Sequence, residues 1–298
     1  MRYVTAILAV IFVLSGHGRS QPASDNTFSV MTYNLRQYAL TDRDGGGEPN
    51  DPKPEKERRA ATALIARERP DVLTVQEMGG AAMFAQFRRE LRTAGLDYPY
   101  AELLERGQRE INLAVLSRFP IVSVQHHTNE WYSIGAAKVP VARGFLDVDI
   151  QVSPQYRFRL LTAHLKSKVY NPLGQTEMRR NEARLLNKIV RGILEENPKI
   201  NLLVAGDFND DYNSAPVREA GGRRGGAMTD LRPVDSGGDA WTYFYAAIDG
   251  YSRFDYFFVS AGMLPETVRD QTRVVRHPLT YEASDHRPVV AVFRAVDQ

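Results

Sequence analysis

Polar residues recur where the apolar runs of this chain end. Asn34 closes FSVMTYN (28–34), Glu77 closes DVLTVQE (71–77) and His164 closes FRLLTAH (158–164). Asp207 closes INLLVAGD (200–207), and Asn209 follows two residues on. Asp255 lies at the head of FDYFFVS (254–260), and Asp285 and His286 precede VVAVF (289–293). Taken singly, each reads equally as a loop cap, a turn or a solvated charge. As a set they carry more weight, because strand ends of one sheet converge in space. Their side chains suit hydrolysis of a phosphate ester, which needs an activated water, neutralised phosphoryl oxygens and help for the leaving oxygen. Glu77 and Asn34 offer hard oxygen ligands of the kind Mg²⁺ takes beside substrate phosphate and water. His286 is a candidate general base, since an unperturbed imidazole titrates near neutrality. Asp255 is the candidate for orienting it. Asn209 and His164 can donate hydrogen bonds to a phosphoryl oxygen, and Asp207 can position the water or protonate the leaving group.

Elements must hold these groups in place. Partial alternation over Phe28–Asn34 predicts a strand, and Asp71–Glu77 predicts a second. Between them, residues 41–55 are rich in Asp, Gly, Asn, Pro and Lys and read as a loop. Glu55–Glu68 reads as a helix with Ala60, Ala61, Leu64 and Ile65 on its apolar face, stopped by Pro70. Ala81–Ala94 reads as another. Asn112–Ser117, Gly144–Val152 and Phe158–His164 read as consecutive strands. Gln175–Glu196 is a long amphipathic helix with Leu185, Leu186, Ile189 and Ile193 expected on one face. The nearly continuous apolar run Ile200–Asp207 predicts a strand buried on both sides. Phe254–Ser260 and Val289–Phe293 are the last two strands. No repeat or linker divides the chain, so strands and helices are expected to share one continuous α/β core.

Composition narrows the class of protein. Lys+Arg number 38 against 36 Asp+Glu, a net charge of +2, so any attraction for phosphate must come from a local patch. Residues 218–226 (REAGGRRGG) are one candidate. Arg218, Arg223 and Arg224 there read either as a grip on a nucleic-acid backbone or as part of a mobile surface loop. Met1-Arg2, the apolar run Tyr3–Leu14 and the small residues Ser15, Gly16 and Gly18 have the form of a secretory signal peptide, expected over 1–24. The run falls short of the roughly 20 residues that span a bilayer. The remaining 25–298 is then the functional domain, secreted or periplasmic, with no membrane span after cleavage. The chain has no cysteine, so disulfides, thiol nucleophiles and Cys-bound zinc are excluded.

The ordered segments TYN (32–34), QE (76–77), SRFPI (117–121), HLKSK (164–168), GDFN (206–209), FDYFFVS (254–260) and SDHRPV (284–289) resemble the endonuclease/exonuclease/phosphatase family. The likeness runs from about Phe28 to the C-terminus. It implies a four-layer α/β sandwich, two packed mixed β-sheets flanked by helices, and divalent-metal phosphoesterase chemistry. Carried over by position, Asn34 and Glu77 match metal-site residues, and Asp285 matches a position near that site. Asp207 and Asn209 match the pair that handles water and phosphate, and Asp255 and His286 match the catalytic His with its carboxylate. The chain departs from the abasic-site repair branch, which has an acidic ligand where this sequence has Arg36 and a Tyr where it has His164. Arg36 is left to supply positive charge to phosphate. Lys166 and Lys168, beside His164, either face phosphate or belong to a solvated loop. HLKSK, and WTY (241–243) paired with RFDYFFVS (253–260), resemble secreted bacterial nucleases.

The resemblance leads to a phosphodiesterase, foremost a nuclease acting on nucleic acid as a monomer. A sphingomyelinase-like enzyme or another small phosphate-ester hydrolase is a second reading; the former would need an apolar membrane contact, for which Trp131-Tyr132 is a candidate. A non-catalytic binding protein is a third. Mg²⁺ is the expected ion, and Mn²⁺ or Ca²⁺ accepts the same oxygen ligands.

Overall fold

The computed structural model describes residues 26–106, 111–221 and 228–297. The two-residue period of its strands explains the fold. In β1 (Thr27–Tyr38), Met31, Tyr33 and Leu35 face one way, while Phe28 and Val30 face the other. In β2 (Val72–Met78), Leu73 and Val75 take the first direction and Val72 the second. Both faces of these strands are therefore covered. The remaining strands are β3 (Tyr100–Leu104), β4 (Asn112–Ser117), β5 (Ile121–His127), β6 (Phe145–Ser153), β7 (Tyr156–His164), β8 (Leu202–Asp207), β9 (Met228–Asp230), β10 (Asp255–Ser260), β11 (Arg273–Val274) and β12 (Val289–Arg294). They form two six-stranded sheets, in the orders β11-β12-β1-β2-β4-β3 and β9-β10-β8-β7-β6-β5.

Helices α1 (Glu55–Glu68) and α2 (Ala81–Thr93) cover the outer face of the first sheet. Helices α3 (Gln175–Glu196) and α4 (Ala215–Ala220) cover the outer face of the second. Between the sheets lies a core that includes Phe28, Phe158 and Phe293, with Phe28 stacked on Phe158 at 4.9 Å. These are the four layers expected from the sequence.

Pairing directions bring the polar strand ends to one edge. β1 and β2 are parallel, as are β7 and β8, so their carboxyl ends lie together. β10 runs antiparallel to β8, which sets the start of β10 at the end of β8: Asp207 pairs with Asp255 and also with His164. β12 runs antiparallel to β1, so the residues just before Val289 reach the same end. The inner face of each strand is graded along its length. It runs from Phe28 and Val30 through Thr32 to Asn34, from Val72 through Thr74 to Gln76, and from Phe158 and Leu160 through Thr162 to His164. The Oγ1 atoms of Thr74 and Thr162 join the two sheets by a 2.7 Å hydrogen bond midway.

Several local expectations change. β1 continues to Tyr38 past Asn34, through a register shift at Arg36 and Gln37, both with positive φ. Residues 41–55 contain a short ladder, Leu40–Thr41 against Asp51–Pro52. The buried face of α3 carries Met178, Leu186, Val190 and Ile193, while Leu185 and Ile189 are only partly buried. The same face buries Arg179 and Glu182, which answer to nearby loops. β3 and β5 were not expected; both lie at sheet edges and carry mixed polar residues. Trp131-Tyr132 belongs to a hairpin, Trp131–Ile134 with Ala137–Pro140, in which Trp131 is exposed and Tyr132 buried. Among the described residues no helix is long and apolar enough to cross a membrane. The segment 1–24, and Arg223 and Arg224, lie outside the described residues. Arg218 is described, and its guanidinium donates to the carbonyl of Asn213.

Candidate active site

Asp207 is the hub of the clustered strand ends. Its Oδ1 accepts the Asn209 backbone N–H at 2.8 Å, and its Oδ2 accepts the Asn34 amide at 2.9 Å and the Asn209 amide at 3.3 Å. His164 Nε2 lies 3.4 Å from Oδ2, and His286 Nε2 lies 3.7 Å from it. His286 Nδ1 meets Asp255 Oδ2 at 2.8 Å. The imidazole thus sits between two buried carboxylates, and ligand atoms of Asp207, Asp255 and His286 all lie within 4.8 Å of one another.

Local backbone geometry delivers these groups. Glu77 has φ 61° and Asn209 φ 53°, in the left-handed region that side chains avoid without compensation. At Glu77 this conformation breaks the alternation that would send it opposite buried Gln76. Its Oε1 accepts the Asn34 amide at 3.2 Å, and its Oε2 accepts the Gln37 N–H at 2.9 Å. Asn34 Oδ1 accepts the Arg36 N–H at 2.9 Å, and buried Lys53 donates to the Arg36 carbonyl at 3.1 Å. The strained turn at 36–37 and the Glu77 carboxylate are therefore built as one unit.

Electrostatics divide the two histidines. Burial holds His164 well below the usual imidazole range, with Arg143 and His286 adding to the effect, so it stays neutral. Burial also opposes charge on His286, but the carboxylates of Asp255, Asp207 and Asp285 outweigh it and push its pKa up. The neighbouring carboxylates thus shift His286 upward from the near-neutral range of an isolated imidazole. Asp207 is pushed up by burial, which its hydrogen bonds and His286 only partly offset.

Each expected residue has a definite place. Asn34, Glu77, His164, Asp207, Asn209, Asp255 and His286 are joined by the contacts above. The Asn34 oxygen, expected as a metal ligand, accepts the Arg36 N–H and keeps a second lone pair. Asn209 spends its amide on Asp207 and on the Leu165 carbonyl at 3.0 Å, so neither N–H is free for phosphate. Asp285 is half-buried, and its carbonyl accepts the Phe244 N–H. Arg36 is exposed, and its guanidinium makes no hydrogen bond or ion pair among the described residues. Lys166 is not aimed at the cluster: its ammonium donates to Ser167 Oγ at 3.1 Å and the Val169 carbonyl at 3.1 Å. Lys168 pairs with Asp211 at 3.1 Å and lies over the Phe254 ring.

Supporting residues escaped the sequence reading. Thr242 Oγ1 accepts the backbone N–H groups of both Phe254 and Asp255 at 3.0 Å, fixing the start of β10. Ser284 Oγ donates to the Asn34 carbonyl at 2.8 Å and accepts the His286 N–H at 3.1 Å, tying the histidine loop to β1. The Tyr243 ring lies 4.9 Å from the His286 ring. The WTY and SDH segments held the only signal for these roles.

The sequence pattern of the Endonuclease/Exonuclease/phosphatase family matches residues 31–286, which include every residue of this cluster. The chain belongs to that family. Its members are phosphoesterases. Solved structures of the same fold include truncated Caenorhabditis elegans TDP2, 16% identical with a TM-score of 0.62, covering 90% of this chain and 98% of that one. The human Nocturnin catalytic domain with bound sulfate is 18% identical with a TM-score of 0.62, covering 90% and 94%. Sphingomyelinase C from Streptomyces griseocarneus is 19% identical with a TM-score of 0.59, covering 90% and 99%. No curated protein matches the chain.

The donor set fits a divalent cation. Both Glu77 oxygens accept only N–H groups, and Asp255 Oδ1 is buried without a partner. Carboxylate oxygens of this kind suit Mg²⁺, Mn²⁺ or Ca²⁺.

Proposed function

We propose that this phosphoesterase is an exported, Mg²⁺-dependent phosphodiesterase that cleaves nucleic acid. The observation that carries the reading is the Asp255–His286–Asp207 chain, at 2.8 and 3.7 Å, with Glu77 linked to it through Asn34. A buried imidazole held by one carboxylate at 2.8 Å, with a second carboxylate beside it, is the arrangement a general base needs to take a proton from an attacking water. His286 Nε2, as the neutral ring, takes the water's proton as the water oxygen bonds to phosphorus, and the ester P–O bond breaks with its electron pair on the leaving oxygen, which takes a proton in turn from the protonated form of Asp207. Asp255 holds His286 in orientation. Asn34 and Asn209 position Asp207 by hydrogen bonds, with neutral His164 lying 3.4 Å from it. Glu77, with Asp285 in support, would hold the divalent ion, which supplies Lewis-acid neutralisation of phosphoryl charge when bound. Exposed Arg36 supplies further positive charge for a phosphodiester backbone. Export is supported by the N-terminal run Tyr3–Leu14 in a chain without cysteine.

The test is turnover with Mg²⁺ and with EDTA on plasmid DNA, single-stranded DNA, RNA, sphingomyelin and inositol phosphates. EDTA-sensitive cleavage of nucleic acid, reduced at least about a hundredfold in His286→Ala and Asp207→Ala, is the expected result. Full turnover in either variant overturns the mechanism. Turnover confined to sphingomyelin or an inositol phosphate overturns the substrate.

A further inference from the structure

A cleft of about 550 Å³ is lined by Trp241 and Arg287, the chain neighbours of Thr242 and His286, and takes no part in the chemistry above. Its walls come from the segments that hold the site. Trp241 precedes Thr242, which fixes Asp255, and Arg287 follows His286. The Arg287 N–H donates to the Thr242 carbonyl at 2.6 Å, and its guanidinium donates to the Trp241 carbonyl at 3.2 Å. Cleft and catalytic site are thus two sides of one pair of crossing segments.

The lining is unusual for a surface cleft. Trp241 meets Tyr251 edge-on at 4.9 Å, and Tyr281 lies 6.5 Å away. Tyr251 and Tyr281 are 50% and 59% exposed, so their rings are available to a ligand. Buried Arg287 stacks over Trp241 at 4.2 Å and is fixed by Asp235 at 2.6 Å. Arg276 stands half-exposed at the edge. Thr280, 4% exposed, lines the cleft, and its Oγ1 has no hydrogen-bond partner.

We infer that this cleft is a nucleobase subsite, which stacks an unpaired base flanking the scissile phosphate on Trp241, Tyr251 and Tyr281, beside the Arg287 and Arg276 guanidinium groups. The inference rests on the nuclease reading and specifies its substrate as single-stranded. Aromatic faces with neighbouring guanidinium groups are how sequence-tolerant proteins hold unpaired bases. The ion-paired floor of Asp235 and Arg287 suits a polar heterocycle and disfavours an acyl chain. The cleft volume lies within the range that holds small ligands.

The test uses the full chain with Trp131→Phe, which leaves Trp241 as the sole tryptophan reporter. Its fluorescence is titrated in EDTA with a short single-stranded oligonucleotide and with an abasic strand of the same length. Cleavage of both strands is then measured with Mg²⁺. The base-bearing strand is expected to quench Trp241 and the abasic strand to leave it unchanged. Tyr251→Ala and Tyr281→Ala are expected to raise KM for the base-bearing strand about tenfold each. Their turnover of the abasic strand should stay at the parent level, which also reports intact folding. Equal quenching by both strands, or unchanged KM in both variants, overturns the subsite while leaving the nuclease reading in place. Base-dependent quenching without cleavage keeps the subsite and overturns the nuclease. Neither quenching nor cleavage overturns both.

Discussion

At the scale of single residues, the site depends on side chains whose only partners are backbone groups. Thr242 is the clearest: one hydroxyl oxygen accepts two buried N–H groups at the start of β10. Thr242→Val keeps the shape and removes the acceptor, leaving both N–H groups unsatisfied. The expected cost is about 1–3 kcal/mol, read as a shift in denaturant midpoint. Turnover should fall as well, because Asp255 is the residue being positioned. A fall in stability with unchanged kcat would show that Thr242 supports the fold alone. Asn209 teaches a related point. Its residue type suggests a phosphate donor, but its amide is committed to Asp207 and Leu165, which makes it a positioning residue in the free protein.

At the scale of elements, close approach of β7 and β8 sets the position of Asp207. Gly206 has φ +138°, and a Cβ there would lie 2.0 Å from the Ala163 carbonyl oxygen. Gly206→Ala must therefore part the two strands at the pair that carries His164 and Asp207. A loss of several kcal/mol is expected by chemical denaturation, with a matching fall in turnover. Wild-type stability in this variant would refute the packing described for the strand pair.

A second element-scale prediction concerns the 3₁₀ turn Leu264–Glu266, where buried Glu266 accepts the Tyr156 hydroxyl. Burial pushes Glu266 from 4.5 up to about 7, against the Tyr156 hydrogen bond. A folded pKa above the unfolded one contributes stability that is fully present below pH 4.5 and lost as pH rises through 7. The parent should lose on the order of 3 kcal/mol across that window. Glu266→Gln should flatten this part of the profile, measured as Tm against pH. An unchanged slope in the variant would assign the pH dependence elsewhere.

At the scale of the whole molecule, the two sheets meet along a graded interface, with phenylalanines at one end and carboxylates at the other. The acidic end is costly to assemble, since Asp207 and Asp255 sit buried and adjacent. A divalent cation that binds only the folded chain should relieve this cost. Saturating Mg²⁺ is expected to raise Tm, by the equivalent of about 2.7 kcal/mol at a hundred times Kd. Glu77→Gln should abolish most of the increase, measured against the variant's own Tm in EDTA, since the amide also gives up one of the two N–H acceptors at this position. An equal Mg²⁺ response in both proteins would move the ion away from Glu77.

By itself the sequence determined the class of the fold and the identity of the cluster. Period-two runs ending in Asn34, Glu77, His164 and Asp207 were legible because strand alternation is local, and GDFN and SDH marked which ends mattered. The sequence could not reveal β3 and β5, whose mixed edges carry weak periodicity. Nor could it separate Lys166 from the cluster, since one loop carbonyl against another is a choice made in three dimensions. The roles of Thr242 and Ser284 were hidden for the same reason: each acts on residues that only strand pairing brings near. The upward shift of His286 comes from tertiary structure alone. An isolated imidazole titrates near neutrality, and only the convergence of β8, β10 and the segment before β12 surrounds this one with the carboxylates of Asp207, Asp255 and Asp285.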